Sequence, residues 1–176
     1  LGWIGTHSTF PFLETLFPVL ERLSEKHNFR LKIVGARRPD IKLRGVPVEN
    51  LDWDLDREVD DFASLDIGLY PIVPKGAAND EWIKGKSGFK AIQYMAVGVP
   101  FVMSPVGVCS ELGEPGRTHL NAASSEDWYN SLNTLLGDPE LRTRMGVAAR
   151  KHSLENYGVE VQADALAEVF RSVARK

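Results

Sequence analysis

The sequence lacks several features that would assign it to a specialised class of protein. Of its 176 residues only Cys109 is a cysteine, so no disulfide can form within the chain and a reducing compartment is expected. No apolar run approaches the roughly 20 residues that a membrane-spanning helix requires. The net charge of −3 is not the basic excess of a nucleic-acid-binding domain, so nucleic acid is not an expected partner.

Metal chemistry and covalent catalysis are also poorly represented. The four histidines have none of the spacings that are typical of metal ligands, so no metal is expected. Cys109 has no histidine close to it in sequence, and we expect it to pack as a small apolar residue. With 43% apolar and 26% charged residues, the composition is that of a soluble globular protein, and residues 1–176 are long enough for one domain.

Apolar segments that alternate with helical patterns dominate the first two thirds of the chain. Strands are predicted at Gly2–Gly5, Leu31–Gly35, Val46–Leu51, Asp66–Tyr70 and Pro100–Ser104. Strands separated by helical segments are typical of βαβ units with right-handed crossovers. The sequence therefore predicts an α/β fold, a Rossmann-like parallel sheet flanked by helices. Because the chain begins inside the first strand, we expect it to be part of a longer protein.

Helices are predicted between the strands and along the last third of the chain. Thr9 is expected to cap the first helix, and Pro18 to kink it or delay its start. From Ser124 to the end (about 124–176) the chain is expected to be helical. Asp138 is the expected cap of the second helix in this region, and the last helix is predicted over about Val159–Ala174.

Two segments in the middle of the chain carry less regular patterns. Asp56–Ser64 is predicted to be a short helix that buries Val59, Phe62 and Ala63. Ile72–Gly85 contains several prolines and glycines without a clear period, which predicts a loop.

The segment from Lys86 to Gly98 is where the sequence most clearly indicates chemistry. A glycine-bearing turn leads into a helix, whose first turn offers unpaired N–H groups and a partial charge of about +0.5. Lys86 and Lys90 add positive charge, which suits a phosphate or diphosphate, and Gln93 shares their face. The neighbouring, core-facing side is predicted to carry Phe89, Ile92 and Ala96. The alternative is that both lysines simply form the solvated face of a surface helix.

A second candidate is the loop after the first strand, which contains Gly5, Thr6 and His7. In an open α/β sheet it would lie on the same edge as the lysine-bearing helix. It lacks the spacing of a dinucleotide-binding fingerprint, so its polar residues are also explained as helix caps or solvated side chains. Trp53 and Tyr70 could stack on a base, although aromatic residues at strand ends commonly belong to the core.

The segment Gly85–Pro100 resembles the donor-binding segment of GT-B glycosyltransferases, in particular those of family 4. There a Glu, seven residues and a second Glu precede Ala-Met-Ala-x-Gly-x-Pro and an apolar strand. The resemblance continues in Ser104–Gly107 and Asp138–Gly146 and covers nearly the whole chain. It implies the C-terminal, nucleotide-sugar-binding half of such an enzyme, and it implies that the N-terminal acceptor domain is absent from this chain.

The resemblance also implies roles for single residues. Gly88 and Phe89 would offer backbone N–H groups to the donor diphosphate, with Ser87 beside them. Gln93 stands where the family has a glutamate that hydrogen-bonds the ribose, and Gly85 stands where the first glutamate would be. Gly5, Thr6, His7 and Trp53 complete the implied donor site. Since the loop after the first strand lacks Lys and Arg, Lys86 and Lys90 would stabilise the departing diphosphate.

The implied reaction moves a sugar from a nucleoside-diphosphate sugar, of UDP or GDP type, to an acceptor hydroxyl. Family 4 implies retention at the anomeric carbon, independence from metal and no cofactor. The acceptor, a glycan or a lipid-linked sugar, would be held by the missing domain, so we expect the chain alone to bind nucleotide weakly and to transfer nothing. We expect a cytoplasmic location, with attachment to the cytoplasmic face of the membrane as an alternative. The alternatives are a non-catalytic Rossmann-like partner-binding module, or a GT-B epimerase or phosphorylase.

Overall fold

The computed structural model describes residues 1–73 and 77–174, with the side chains of all of these except 77–80. Within them, six parallel strands form one sheet in the order β3-β2-β1-β4-β5-β6. The strands are β1 (Gly2–Ile4), β2 (Leu31–Val34), β3 (Val48–Leu51), β4 (Gly68–Tyr70), β5 (Phe101–Met103) and β6 (Leu120–Asn121). The predicted Rossmann-like α/β fold is therefore confirmed.

Eight α-helices in the described residues connect and cover these strands. They are α1 (Phe10–Glu14), α2 (Phe17–Ser24), α3 (Glu58–Ala63), α4 (Ala77–Lys84), α5 (Phe89–Val97), α6 (Ser125–Gly137), α7 (Pro139–Tyr157) and α8 (Val159–Ala174). A 3-10 helix, Gly107–Glu111, follows β5. None of these helices is both long and apolar enough to cross a membrane.

The order in which the strands are added to the sheet reverses between β1 and β4. The chain builds β1, β2 and β3 outward on one side, then returns to place β4, β5 and β6 on the other. In the described part of the chain, β1 pairs with β4 only at Gly2 and Gly68. Adjacent crossovers that leave in opposite directions open a crevice at the carboxyl ends of the two central strands. This crevice is where the fold favours a ligand.

The two faces of the sheet bury separate hydrophobic cores, because successive side chains of a strand point to opposite faces. On β1, Trp3 belongs to the core under α1, α2 and α6, whereas Ile4 belongs to the core under α3, α5 and α7. On β5, Val102 faces the first core, and Phe101 and Met103 face the second. Helices on both faces explain why β1, β4 and β5 are buried along their whole length.

Tyr94 fixes α5 beneath the two central strands. Its side chain is fully buried, and its hydroxyl lies 3.3 Å from the Gly2 carbonyl oxygen and 3.2 Å from that of Leu69. Its single proton is thus shared between the backbones of β1 and β4. The ring packs so closely on the sheet that a Cβ at Gly68 would lie 2.5 Å from it. Together with the buried side chains of Ala91 and Met95, Tyr94 therefore fixes the position and rotation of α5.

The predicted core-facing side of α5 is wrong for Phe89 and Ala96, whereas Ile92 packs against the core. Phe89 is 61% exposed, Ala96 is exposed and Ile92 is only partly buried. The buried side chains are those of Ala91, Tyr94 and Met95. The helix is rotated because the Tyr94 phenol must reach the strand carbonyls.

The predicted inner face of α3 is also partly wrong. Phe62 is buried as expected, but Val59 is 68% exposed and Ala63 is exposed. Asp61 is buried instead, with its carboxylate 2.8 Å from the Lys32 ammonium and 3.1 Å from the Arg57 guanidinium. Two cations neutralise this carboxylate, so it is buried although its polarity alone would place it in solvent.

The predicted loop Ile72–Gly85 is wrong where α4 forms, while residues 74–76 lie outside the described part of the chain. The sequence analysis also missed β6, whose two residues are too few to show a pattern. Thr9 occupies the N-cap position of α1, but its side chain bonds to Thr6 rather than to the helix. The side-chain cap predicted there is therefore wrong.

Other helix boundaries follow the predictions. Pro18 lies in the first turn of α2, which is the predicted late start after α1 ends. The Asp138 carboxylate accepts a 2.8 Å hydrogen bond from the Leu141 amide and caps α7. Ser124 and Asp127 form a capping box at the start of α6. Cys109 is fully buried among apolar side chains, as predicted.

Tyr94→Phe removes the hydroxyl and leaves two buried carbonyl groups with less hydrogen bonding. We expect the free energy of unfolding to fall by about 1–2 kcal/mol, the usual cost of losing a buried hydrogen bond. Urea denaturation measures this change. Tyr129→Phe on α6, a partly buried position away from the central strands, should change stability by much less. Equal effects of the two substitutions would contradict the anchoring role of Tyr94.

His119 makes the fold sensitive to acid. Burial lowers its pKa from 6.5 to about 4, and the ring stacks on Phe101 with both nitrogens in hydrogen-bond contact with Thr118 and Asn121. Between these two pKa values protons bind preferentially to the unfolded chain, so stability falls as pH falls from about 6.5 toward 4. The loss is on the order of 3 kcal/mol. Urea denaturation across this range should show a shallower pH dependence for His119→Gln, and an unchanged slope would refute the assignment.

Candidate functional site

A cleft of about 1350 Å³ lies at the carboxyl ends of the central strands. Ile4 and Gly5 at the end of β1, Gly35 after β2 and Tyr70 at the end of β4 line its floor. At Gly35, with φ of +82°, a Cβ would lie 2.2 Å from the Gly5 carbonyl oxygen, so only glycine lets the two strand ends approach so closely. The cleft occupies the crevice that the strand order opens.

The start of α5 forms one wall of the cleft. Gly88 is its N-cap in a left-handed conformation, with φ of 66°, and a Cβ there would lie 2.2 Å from Leu112. Among the described residues, the backbone amide groups of Phe89 and Lys90 have no hydrogen-bond acceptor. These amides and the positive end of the helix favour an anion in front of them.

Two lysines concentrate positive charge at this helix start. The Lys86 ammonium lies 4.0 Å from the centroid of the Trp82 ring, and burial lowers the Lys86 pKa below the ordinary lysine value. Burial also lowers the pKa of Lys90; the neighbouring Lys86 ammonium lowers it further, while the Glu58 carboxylate acts in the opposite direction. Two ammonium groups that repel each other in a half-buried cleft are stabilised by a multiply charged anion.

The lysine pair has no close acidic partner in the described part of the chain. The ion pairs found among the described side chains include neither Lys86 nor Lys90. Glu58 balances part of the charge from a greater distance, and the arrangement suits a ligand such as a phosphate or diphosphate.

The opposite wall combines an indole with a carboxylate. Glu58 on α3 accepts a 3.2 Å hydrogen bond from the Trp53 indole nitrogen and a 3.4 Å one from the Gln93 amide, both at Oε1. Trp53 is 49% exposed and lines the cleft rather than the core. An aromatic surface and a hydrogen-bond acceptor thus stand beside the cationic wall.

The loop after β1 closes a third side. Thr6, His7 and Ser8 are exposed and line the cleft, and the hydroxyls of Thr6 and Ser8 are 2.9 Å apart. The loop therefore lies on the same edge of the sheet as the lysines, as the sequence predicted. Its hydroxyls and the His7 ring provide hydrogen-bonding groups without permanent charge.

The structure brings together nearly all the residues that the sequence singled out. Those that line the cleft are Gly5, Thr6, His7, Trp53, Lys86, Ser87, Phe89, Lys90 and Gln93. Gly88 does not line it, because it is buried against Leu112 beneath the helix start. Gly85 lines the cleft as well.

Several cleft residues were missed by the sequence analysis: Arg37, Asp52, Glu58 and Trp82. Arg37, Asp52 and Glu58 carry no signal in a single sequence that distinguishes them from other polar residues. Trp82 has the clearest signal, since it lies four residues before Lys86. In the part of the chain that the structure describes, no group of three His, Cys, Asp or Glu side chains could hold a metal ion. Metal independence stays a prediction.

Comparisons with known proteins agree with the fold and the cleft. The family model of the group 1 glycosyl transferases matches residues 2–138. No curated protein sequence matches the chain. Many solved structures share the fold, at sequence identities that are low enough to support the fold alone.

Three of these structures illustrate the likeness. HepE from Anabaena, in complex with UDP and glucose, has a TM-score of 0.72 and 16% identity over 97% of this chain and 47% of its own. The sucrose-phosphate synthase of Thermosynechococcus elongatus has a TM-score of 0.72 and 18% identity over 99% of this chain and 45% of its own. A glycosyltransferase from Rickettsia africae has a TM-score of 0.76 and 12% identity over 99% of this chain and 48% of its own.

The chain thus spans about half the length of the structures that it matches. Its fold is that of a half of a GT-B glycosyltransferase, which confirms the resemblance noted in the sequence. Since the family model covers most of the chain, the chain belongs to the group 1 glycosyl transferases.

Proposed function

We propose that this chain is the donor-binding half of a glycosyltransferase that moves a sugar from a nucleoside-diphosphate sugar to an acceptor hydroxyl. The single observation that carries the proposal is the pair Lys86 and Lys90, set at the start of α5 where the strand order opens the cleft. A diphosphate placed there would meet two ammonium groups and two backbone amides without acceptors. Family membership supports sugar transfer as the reaction class.

The chemistry that this site would supply is stabilisation of a leaving group. When the bond between the anomeric carbon and the diphosphate breaks, negative charge grows on the diphosphate oxygens. Fixed N–H groups and ammonium groups lower the barrier if they already face that charge. Lys86 and Lys90 would therefore act catalytically, with the backbone amides of Phe89 and Lys90 at the helix start as further candidates. The proposed reaction retains the anomeric configuration and needs neither metal nor cofactor.

The nucleotide is proposed to be of UDP or GDP type. A uridine nucleotide is the first choice for testing, because the similar HepE structure is a complex with UDP. The acceptor, a glycan or lipid-linked sugar, would be held by an N-terminal domain outside this chain. The proposed place of action is the cytoplasm or the cytoplasmic face of the membrane, and the chain alone is expected to transfer no sugar.

Titration of UDP, GDP and ADP into the chain tests the donor site. At least one should bind at about millimolar concentration, measured by calorimetry or by NMR shifts of cleft residues. Lys90→Ala should weaken binding about tenfold, since it removes a charged hydrogen-bond donor. Lys151→Ala, an exposed position on α7, is the matched control and should change nothing. If the folded chain binds none of the three nucleotides, a non-catalytic partner-binding module is favoured instead. The same conclusion follows if a nucleotide binds Lys90→Ala and Lys151→Ala equally well.

The lowered pKa values of Lys86 and Lys90 predict proton uptake on binding. A bound diphosphate favours the charged lysines and raises both pKa values, so in alkaline solution the complex takes up protons and affinity falls as pH rises. Calorimetry in two buffers of different ionisation enthalpy measures the uptake. The ionisation of the nucleotide itself is common to wild type and Lys90→Ala, so it cancels in the difference between them. No difference between the two proteins would refute the role of Lys90.

A further inference from the structure

An anion-binding site alone does not account for the presence of the Glu58 carboxylate in the cleft. It lines the same cleft as Lys86 and Lys90, yet a carboxylate repels the diphosphate that these lysines would bind. Part of its role is to interact with the Lys90 ammonium, but beside a bound anion a negative side chain is favourable where the ligand also presents hydrogen-bond donors to it. The donors that a nucleoside diphosphate can present to a carboxylate include the hydroxyls of its ribose.

One oxygen of the Glu58 carboxylate is held by two hydrogen bonds, and the other has no donor among the described residues. The Trp53 indole and the Gln93 amide both donate to Oε1, at 3.2 and 3.4 Å. Among the described residues, no donor contacts Oε2. A carboxylate oxygen can accept two hydrogen bonds, so Glu58 keeps acceptor capacity for a ligand while its orientation is set by two neighbours.

The order of groups along α5 matches the order of groups in a nucleotide. Gln93 follows Lys90 by three residues, which is a rise of about 4.5 Å away from the helix start. A ribose is joined to the diphosphate through one carbon and one oxygen. With the diphosphate at Lys86 and Lys90, the ribose falls beside Gln93 and Glu58, and the base lies toward the half-exposed ring of Trp53.

We propose that Glu58 is the residue that selects ribonucleotides, by accepting hydrogen bonds from the 2′- and 3′-hydroxyls of the donor. The proposal rests on the proposed donor-binding function. The carboxylate reaches the site from α3, 35 positions before Gln93 in the chain, and Trp53 acts as a positioning residue that holds it. A diol that donates to a carboxylate forms charge-assisted bonds, which are about twice as strong as neutral ones.

The test compares ligands that differ only in the diol. The nucleotide that binds best among UDP, GDP and ADP and its 2′,3′-dideoxy analogue are titrated separately into the protein, and calorimetry gives the two affinities. Wild type should prefer the ribonucleotide about tenfold, and Glu58→Gln should reduce this preference to within about twofold. Asp60→Asn, an exposed carboxylate on the same helix, is the matched control and should keep the full preference. Inorganic pyrophosphate should bind Glu58→Gln as well as or better than wild type, because a repulsive charge is removed.

A reciprocal exchange separates recognition from structural support. Glu58→Gln combined with Gln93→Glu keeps one carboxylate and one amide in hydrogen-bond contact, and it should restore part of the preference for the ribonucleotide. Equal binding of both nucleotides by wild type, or full preference in Glu58→Gln, would overturn the proposal. If pyrophosphate and all three nucleotides fail to bind folded wild type, the proposed function itself fails, which is a different result from binding without preference.

Discussion

The Tyr94 hydroxyl shares one proton between the carbonyl groups of Gly2 and Leu69, and this contact joins α5 to both strands that flank the crevice. Because β1 and β4 pair only at Gly2 and Gly68 in the described residues, the phenol lies beneath a part of the sheet that has few bonds of its own. The rotation of α5 then decides which side chains face the cleft. Lys90 and Gln93 lie on its cleft side and Tyr94 on the sheet side, whereas Lys86 precedes α5 and reaches the cleft from the turn before it, so the predicted helical face shared by Lys86 and Lys90 is wrong.

Much of the fold could be predicted from the sequence, because buried strands and capped helices leave local signals. The strand segments and the Asp138 cap are examples. The rotation of α5 could not be predicted, since periodicity gives a helix its apolar stripe but not the tyrosine that reaches the sheet. The buried Asp61 was missed for a related reason, because its neutralising partner Lys32 comes from a distant strand. Short elements such as α4 carry too few apolar residues to show a period.

The residues of the candidate site were likewise only partly predictable from the sequence. Lys86 and Lys90 were predictable because they share one segment with the glycine turn and the helix start. Glu58 was not, since its relation to Gln93 exists only after α3 and α5 pack side by side. Phe89 shows the limit of assigning a helix face from periodicity, because its side chain is exposed in the cleft rather than buried in the core. Chemistry within one segment is visible in a sequence, and chemistry between segments is not.

The cationic wall also bears on how quickly such an enzyme could recycle. In the proposed reaction the departing nucleoside diphosphate has a terminal phosphate that the sugar had masked, so the product is more negative than the donor. Lys86 and Lys90, which form no ion pair with the described side chains, would hold the product more tightly than the substrate. Turnover would then be paced by release of the spent nucleotide rather than by bond breaking, and accumulated product would compete with fresh donor.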